Sequence, residues 1–210
     1  MKRVLYLGLE VPDEWAKAHD VTHLPLIRVV PRSKSDPSIQ EALEDLNDCT
    51  HVLFTSKTAV DIFFDYATEN LNGISFAAVG AKTAARIESR GYTPSIIAKN
   101  ETAEGLVAAL SEHHLSDAYI FWPHSALSRP VLKDWMDQQK IRNRTTIFYD
   151  TEPCIQHNIP KLEAFDEIVF TSPSTVDAYI LHFKLLPKDK IINCIGPITL
   201  QYLQHRSSIK

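Results

Sequence analysis

Apolar residues follow two alternating patterns along this chain: short solid runs, and stripes at helical spacing. Residues 4–9 form an apolar run with a Gly inside it, the pattern of a buried strand. Residues 12–18 read as a helix, with Pro12 suited to its first turn. Residues 21–30 carry β-branched side chains, but Pro25 interrupts them, which fits an edge strand or a crossing rather than a central strand. The stretch Pro31-Arg32-Ser33-Lys34-Ser35-Asp36-Pro37-Ser38 is the most loop-like of the chain and is the expected crossing between two domains. Strand and helix then alternate. Ile39, Ala42, Leu43 and Leu46 form one stripe, residues 51–55 a strand, and Val60, Phe63, Phe64 and Ala67 a second stripe. Residues 75–79 predict a strand, and residues 82–90 a helix closed by Gly91. A strand at 94–98 precedes a helix that Thr102 can cap, with the stripe Ala103, Leu106, Val107 and Leu110. Residues 119–122 and 145–149 predict strands around the helical stripe Val131, Leu132, Trp135 and Met136. After Pro153 come a strand at 167–171, the stripe Val176, Tyr179, Ile180 and Phe183, a strand at 190–195 and a helix at 197–203. This alternation predicts an α/β fold of parallel sheets with helices on both faces.

The restart after Pro153 is a repeat. Phe54-Thr55-Ser56 recurs as Phe170-Thr171-Ser172, Val60-Asp61 as Val176-Asp177, Gly80 as Gly196 and Thr83 as Thr199, all at a constant offset of 116. The helical stripes repeat with them. A period this long exceeds a solenoid unit and indicates two copies of one α/β half. The second copy is short: eleven residues follow Thr199, where the first copy continues through a helix, a strand and the Thr102 helix. The strand at 4–9 is therefore expected to join the C-terminal segment in one sheet. Residues 1–30 and 151–210 would form a discontinuous first lobe, and residues 31–150 an inserted second lobe. Residues 24–30 and 145–149 would run side by side as a two-stranded hinge.

Composition narrows the function. With 44% hydrophobic and 23% charged residues, a packed core is expected rather than disorder. A net charge of -4 without a basic run argues against a nucleic-acid partner. The N-terminal apolar run stops at Glu10-Val11-Pro12-Asp13 without a small-residue cleavage site, so it reads as a first strand, not a signal peptide. No stretch is long and apolar enough to span a membrane. Cys49, Cys154 and Cys194 are odd in number and widely spaced, which points to reduced thiols in a cytoplasmic protein, expected to be a monomer.

Candidate chemistry sits at strand-to-helix junctions. A Ser or Thr there is first of all a helix N-cap. Thr55-Ser56 and Thr171-Ser172 form a matched pair, however, and two such junctions facing one crevice would suit a ligand bearing carboxylates or phosphates. Gly80-Ala81-Lys82-Thr83 and Gly196-Pro197-Ile198-Thr199 make a second matched pair, and neither is a P-loop. Tyr149, inside Ile147-Phe148-Tyr149-Asp150-Thr151, has two readings: packing, or a phenol that protonates or hydrogen-bonds a leaving group. Nine His residues give no metal-ligand spacing: His19 and His23 flank a turn into a strand, and His113-His114 ends a helix. GxSxG and GxGxxG are absent, so hydrolase and dehydrogenase machinery is not expected.

Several segments together resemble the uroporphyrinogen-III synthase family over nearly the whole chain. They are Val52-Leu53-Phe54-Thr55-Ser56, Ala78-Val79-Gly80-Ala81-Lys82-Thr83-Ala84, Thr102-Ala103-Glu104-Gly105-Leu106, Arg129-Pro130-Val131-Leu132, Phe148-Tyr149-Asp150-Thr151, Val169-Phe170-Thr171-Ser172-Pro173-Ser174 and Ile195-Gly196-Pro197-Ile198-Thr199. The resemblance implies two flavodoxin-like lobes joined by a two-stranded β-ladder. It also implies a lyase that converts hydroxymethylbilane, a linear tetrapyrrole polycarboxylate, to uroporphyrinogen III and water, with no metal or cofactor. By that resemblance, Thr55, Ser56, Thr83, Ser172 and Thr199 bind substrate carboxylates, with Gly80, Ser174 and Gly196 in the same turns. Tyr149 would assist departure of the hydroxyl. The chain departs from the family at Leu7-Gly8-Leu9, where many members have a Thr-Arg pair, and at Phe121-Trp122-Pro123-His124, where an Arg is common. Those departures leave a rival reading, a non-catalytic two-lobed binding protein for an anionic small molecule. A flavin-binding redox protein would need a Ser/Thr/Gly-rich loop after the first strand, which Gly8-Leu9-Glu10-Val11-Pro12 does not supply.

Overall fold

In the computed structural model, which describes residues 1–68 and 71–208, β1 (Arg3–Tyr6) leads through α1 (Asp13–Ala18) to β2 (Asp20–His23) and β3 (Ile27–Pro31). Then follow α2 (Pro37–Glu44), β4 (His51–Phe54), α3 (Lys57–Tyr66), β5 (Ser75–Ala78), α4 (Ala81–Ser89), β6 (Ile96–Ile97) and α5 (Ala103–Leu110). The order closes with β7 (Tyr119–Ser125), α6 (Val131–Gln138), β8 (Arg142–Pro153), β9 (Glu167–Phe170), α7 (Pro173–Phe183), β10 (Ile191–Cys194) and α8 (Pro197–Ser208). Pro25 divides β2 from β3. Leu24 and Leu26 donate their N–H groups to the Tyr6 and Leu7 carbonyls, and Pro25 between them has no N–H to offer.

The chain divides into two compact units, Met1–Val29 with Thr151–Lys210, and Val30–Asp150. The division falls inside β3 and β8, not in a loop. Residues 31–38 thus lie in the second unit, and the expectation that they form the crossing is corrected. Their turn chemistry starts a helix instead: Asp36 accepts from the Ser38 N–H and Pro37 opens α2.

The second unit carries a six-stranded sheet in the order β3-β8-β7-β4-β5-β6, with β8, β7, β4, β5 and β6 pairing in parallel. On one face Leu53, Ala77, Ile120 and Trp122 pack with Leu106 and Leu110 of α5 and Leu132 and Met136 of α6. On the other, Phe54 and Phe121 meet Phe63 of α3 at ring-centroid distances of 5.3 and 6.0 Å. Asp61 of α3 also pairs with Arg86 of α4 and with Arg90, the residue that follows α4. Burying one Phe contributes roughly 1.5–3 kcal/mol, whereas a largely exposed ion pair contributes about 0–1 kcal/mol. The aromatic cluster, not the ion pairs, therefore holds α3 to the sheet.

The first unit carries a four-stranded parallel sheet in the order β10-β9-β1-β2. The chain's first strand is central here: Val4 pairs with Glu167 and Leu5 with Ile168. Leu5, Leu7, Ile168 and Phe170 pack with Val176, Tyr179 and Leu203, and Val4, Tyr6 and Val169 pack on the opposite face with Trp15 and Val21.

The sequence repeat is also a repeat of register. His51 pairs with Ser75 in β4 and β5, and Glu167 with Ile191 in β9 and β10, each residue 116 positions on. β4 has β7 and then β8 on its other side, and β9 has β1 and then β2. The first unit is thus a circular permutation of the second, with β1 and β2 standing for β7 and β8. Among the described residues it has no counterpart of β6.

Several element lengths differ from expectation. β6 is two residues long, β8 is twelve, and α8 runs to Ser208. The polar start of β8 hid its length, because Arg142 lies over the Tyr119 ring at 3.8 Å and Arg144 pairs with Asp45 at 2.6 Å. Both side chains are tied to neighbouring elements while their strand is paired.

Tyr179 is fully buried, stacked on Phe183 with ring centroids 4.5 Å apart, and its hydroxyl has no hydrogen-bond partner. Burial pushes its phenol up to about 12. Tyr179→Phe removes that unsatisfied group and keeps the ring. It is expected to stabilise the fold by about 1 kcal/mol in urea denaturation; a loss of stability would show that the hydroxyl is satisfied.

Candidate active site

In a parallel α/β sheet, ligands gather beyond the carboxyl ends of the strands, where neighbouring strands send their connections in opposite directions. In the second unit β4 leads through α3 to β5 on one side, and β7 leads through α6 to β8 on the other. The switch point lies between β4 and β7. Thr55 and Ser56 follow β4, and Trp122, His124 and Ser125 form the end of β7.

These side chains form a connected polar cluster. Ser56 caps α3, its Oγ accepting the Ala59 N–H at 3.0 Å, and the same Oγ lies 2.8 Å from the Tyr149 hydroxyl. Trp122 Nε1 donates to Thr55 Oγ1 at 3.4 Å. The His124 ring stacks on Trp122 at 4.3 Å, and its Nδ1 lies 2.8 Å from the Ser125 carbonyl. Ser125 is the register partner of Tyr149, reached through a β-bulge at His124/Ser125, and its Oγ accepts the Leu127 N–H at 3.2 Å. Tyr149 is 7% exposed. Burial pushes its phenol above the ordinary tyrosine range, while hydrogen bonds with Ser56 and Ser125 act in the opposite direction. Burial likewise holds His124 below the ordinary imidazole range, the hydrogen bond to the Ser125 carbonyl opposing it and Arg32 adding to it.

In the first unit the switch point lies between β1 and β9. Ser172 caps α7 in a capping box with Thr175, whose Oγ1 accepts the N–H groups of Thr171 and Ser172 at 3.2 Å each. Ser174 Oγ lies 2.9 Å from Ser172 Oγ. Gly8 follows β1, and a Cβ there would lie 2.6 Å from Thr171 Cγ2. The Leu7-Gly8 departure from the family pattern thus lets Thr171 close against the β1 terminus. A side chain at Gly8 would force it away.

The two glycine turns are matched in sequence but differ in physics. Gly80 is extended, with φ 174°, and a Cβ there would lie 2.5 Å from Glu101 Cγ. Glu101 Oε1 accepts the Ala81 N–H at 3.0 Å, so the first amide of α4 already holds a carboxylate of the chain itself. Gly196 has φ +85° and open space around it, and the residue after it, Pro197, has no N–H. Thr83 and Thr199 are 5% and 3% exposed, and Thr199 Oγ1 donates to the Ile195 carbonyl at 3.2 Å. Of the residues singled out from sequence, Ser56 and Tyr149 are brought into direct contact, as are Ser172 and Ser174. Gly80 and Gly196 shape turns, and Thr83 and Thr199 are packed beneath them. Trp122, His124, Ser125 and Glu101 join the site without having been singled out for it. Ser125 was hidden because β7 was expected to stop at Trp122; pairing the β7 and β8 stretches through to Tyr149 would have found it.

Among the described residues no group of three or more His, Cys, Asp or Glu side chains could hold a metal ion, and no helix is long and apolar enough to cross a membrane.

The chain is an α/β protein of parallel sheets with hydroxyl-bearing helix caps at its switch points. The family model described as Uroporphyrinogen-III synthase HemD matches residues 16–208, and the chain belongs to that family. It is 25% identical over 194 residues to the porphyrin biosynthesis protein HemD of Ruminiclostridium josui, covering 84% of this chain and 37% of that protein. The chain therefore spans little more than a third of that relative's length. Among solved structures, a mutant uroporphyrinogen III synthase of the extremely thermophilic bacterium Thermus thermophilus matches with a TM-score of 0.66 at 15% identity, over 98% of this chain and 89% of that one. The uroporphyrinogen-III synthetase of Helicobacter pylori matches with a TM-score of 0.65 at 16% identity, over 98% and 89%. At these identities the structures establish a shared α/β fold.

The two glycines make opposite demands. Gly80→Ala is expected to displace the Glu101 side chain and cost about 1 kcal/mol, the worth of a lost helix cap. In a Glu101→Ala background the same change should cost almost nothing. Gly196→Ala is expected to cost about 1 kcal/mol in either background, because its penalty is a left-handed backbone. Denaturation of the single and double variants measures this, and a Gly80 penalty that persists without Glu101 would refute the contact.

Proposed function

We propose that this chain carries out the reaction for which its family is named. It would act as a hydro-lyase that closes hydroxymethylbilane to uroporphyrinogen III, with loss of water and inversion of the last pyrrole ring. The supporting observation is the buried Tyr149 phenol, hydrogen-bonded to the Ser56 cap beside a topological switch point. The two compact units are read as the family's flavodoxin-like lobes. β3 and β8 are read as the two-stranded ladder and hinge between them, supported by the pairs Arg28–Glu152 at 2.8 Å and Arg32–Asp150 at 3.0 Å.

The chemistry suits such a site. The leaving hydroxyl is on a carbon attached to an electron-rich pyrrole, so ionisation is intrinsically easy. As the C–O bond breaks, its electron pair goes to oxygen, which takes the Tyr149 proton and leaves as water. The substituted carbon of the last ring attacks the resulting electrophilic carbon, giving a spiro intermediate, and cleavage of that ring's original bond to its bridging carbon reopens it with the ring inverted. Final closure releases a proton, which restores the phenol. The sequence is redox-neutral and needs no outside reductant or oxidant. What remains is to hold a flexible polyanion so that the less accessible carbon is attacked.

Thr55, Ser56, Ser172 and Ser174, all half-buried at strand ends, are the proposed hydroxyl contacts to substrate carboxylates. Gly80, Thr83, Gly196 and Thr199 are assigned to the same substrate-binding turns, the two threonines acting by holding the turn rather than by reaching out.

Added to freshly generated hydroxymethylbilane, the protein is expected to direct product to the type III isomer, resolved by chromatography after oxidation to porphyrins. Type I product alone would make the chain a non-catalytic binder. Tyr149→Phe is expected to lower kcat on the order of 10²-fold, more than alanine at any of Thr55, Ser56, Thr83, Ser172 or Thr199. An equal loss in Thr83→Ala would remove Tyr149 from its assigned role.

A further inference from the structure

Tyr149 OH lies 2.8 Å from Ser56 Oγ, Ser125 stands opposite Tyr149 in register, and each serine is already committed on its acceptor side. Ser56 Oγ accepts the Ala59 N–H at 3.0 Å as the α3 cap, and Ser125 Oγ accepts the Leu127 N–H at 3.2 Å. A hydroxyl has one proton to give. With an amide N–H directed at each serine oxygen, that proton is free to turn toward the Tyr149 oxygen, 2.8 Å from Ser56 Oγ. A phenol that accepts from both serines keeps its own proton for a third partner.

We propose that Ser125 is a positioning residue of this site: together with Ser56 it donates to the Tyr149 oxygen, aiming the phenol proton at the bound substrate and stabilising the phenolate left behind. The inference deepens the reading of Tyr149 as the proton donor and rests on it. Three features of β7 show that Ser125 is placed for this role. Ser125 is the residue registered opposite Tyr149, although the pairing one step earlier joins His124 to Ile147, so a bulge shifts the strand at this position. Such bulges re-aim a side chain at a strand end. The backbone then folds back on itself, the Ala126 N–H donating to the Tyr149 carbonyl at 3.0 Å, so the two residues are tied through main chain as well. Finally, the His124 imidazole takes the Ser125 carbonyl through Nδ1 at 2.8 Å and lies flat on Trp122, which fixes the peptide that carries Ser125.

The chemical consequence follows from burial. Tyr149 is 7% exposed, and an apolar surrounding disfavours a phenolate, which would make the phenol a poor acid. Two aimed hydroxyl donors offset that penalty where the charge develops. One serine would leave the phenol able to rotate its proton toward the vacated side.

The test uses the whole chain labelled with tyrosine carrying 13C at Cζ. The Tyr149 resonance is assigned among the seven tyrosines by its loss in Tyr149→Phe. In Ser125→Ala the Tyr149 signal is expected to move at neutral pH and its titration step to shift to higher pH, while Ser125→Thr, which keeps the hydroxyl, should restore both. In the isomer-resolved assay Ser125→Ala is expected to lower kcat on the order of tenfold, with KM changed less than about twofold. A Tyr149 signal that is unmoved in a folded Ser125→Ala protein overturns the proposal. So does a shift of KM alone, or a thermal-stability loss that Ser125→Thr does not rescue. The resonance is read without turnover, so an inactive wild-type protein would overturn the proposed reaction while the resonance still decides whether Ser125 holds the phenol.

Discussion

The parallel pairing of β1 with β9 is the constraint on which the first unit depends. It brings residues 3–6 beside residues 167–170 and places a strand from one end of the chain at the centre of a sheet otherwise built from the other end. The edges of this pairing are secured by the Asp166 N–H donating to the Arg3 carbonyl at 2.8 Å, by the Arg3–Asp166 ion pair and by Lys2 on Glu167. The Arg3–Asp166 pair is about half exposed and contributes little, whereas Glu167 is buried and needs Lys2 and Asn193 as partners. The apolar residues on both faces of the two strands, Val4, Leu5, Ile168, Val169 and Phe170, all fully buried, supply the stabilisation. Because β1 and β9 are also the strands of the switch point, the contact that closes the unit also places Gly8 against Thr171.

The two units solve the same local problem with different chemistry. Each must satisfy the first amides of helices that begin at strand ends. In the second unit a serine cap and a neighbouring glutamate share the task, the serine also meeting the Tyr149 hydroxyl, and in the first a capping box of Ser172 and Thr175 does so internally. Duplication supplied matched positions, and divergence joined a phenol to the helix-capping serine at Tyr149 and Ser56, whereas Ser172 pairs with Ser174 and Thr175. The two junctions are therefore matched in sequence but not in hydrogen bonding, one tied to a phenol on another strand and the other closed within its own turn.

Much of this was visible in the sequence because it depends on periodicity. The stripes Val60-Phe63 and Val176-Tyr179 face cores in both units, and the offset of the two Phe-Thr-Ser segments proved to be a shared pairing register. Side-chain partners across strands were not visible. Arg142 and Arg144 read as polar breaks, yet they begin a strand because Tyr119 and Asp45 receive them. Glu101 reads as a loop residue, and only the absence of a Cβ at Gly80, twenty-one positions earlier, shows where its carboxylate goes. The segment at 31–38 has the composition of a linker, but composition cannot distinguish a link between domains from the turn that starts a helix. The chain passes between units where β-branched residues continue straight through, in β3 and β8.

The permuted layout orders events during synthesis. β1 and β2 can pair with each other as soon as both have left the ribosome, but the other edge of β1 has no partner until β9 has been translated, roughly 140 residues later. The intervening unit is contiguous and can complete its own sheet while the earlier apolar strand waits uncovered. A nascent chain of this kind gains from a fast-forming middle, because the β1 edge that awaits β9 is an unpaired strand edge until then.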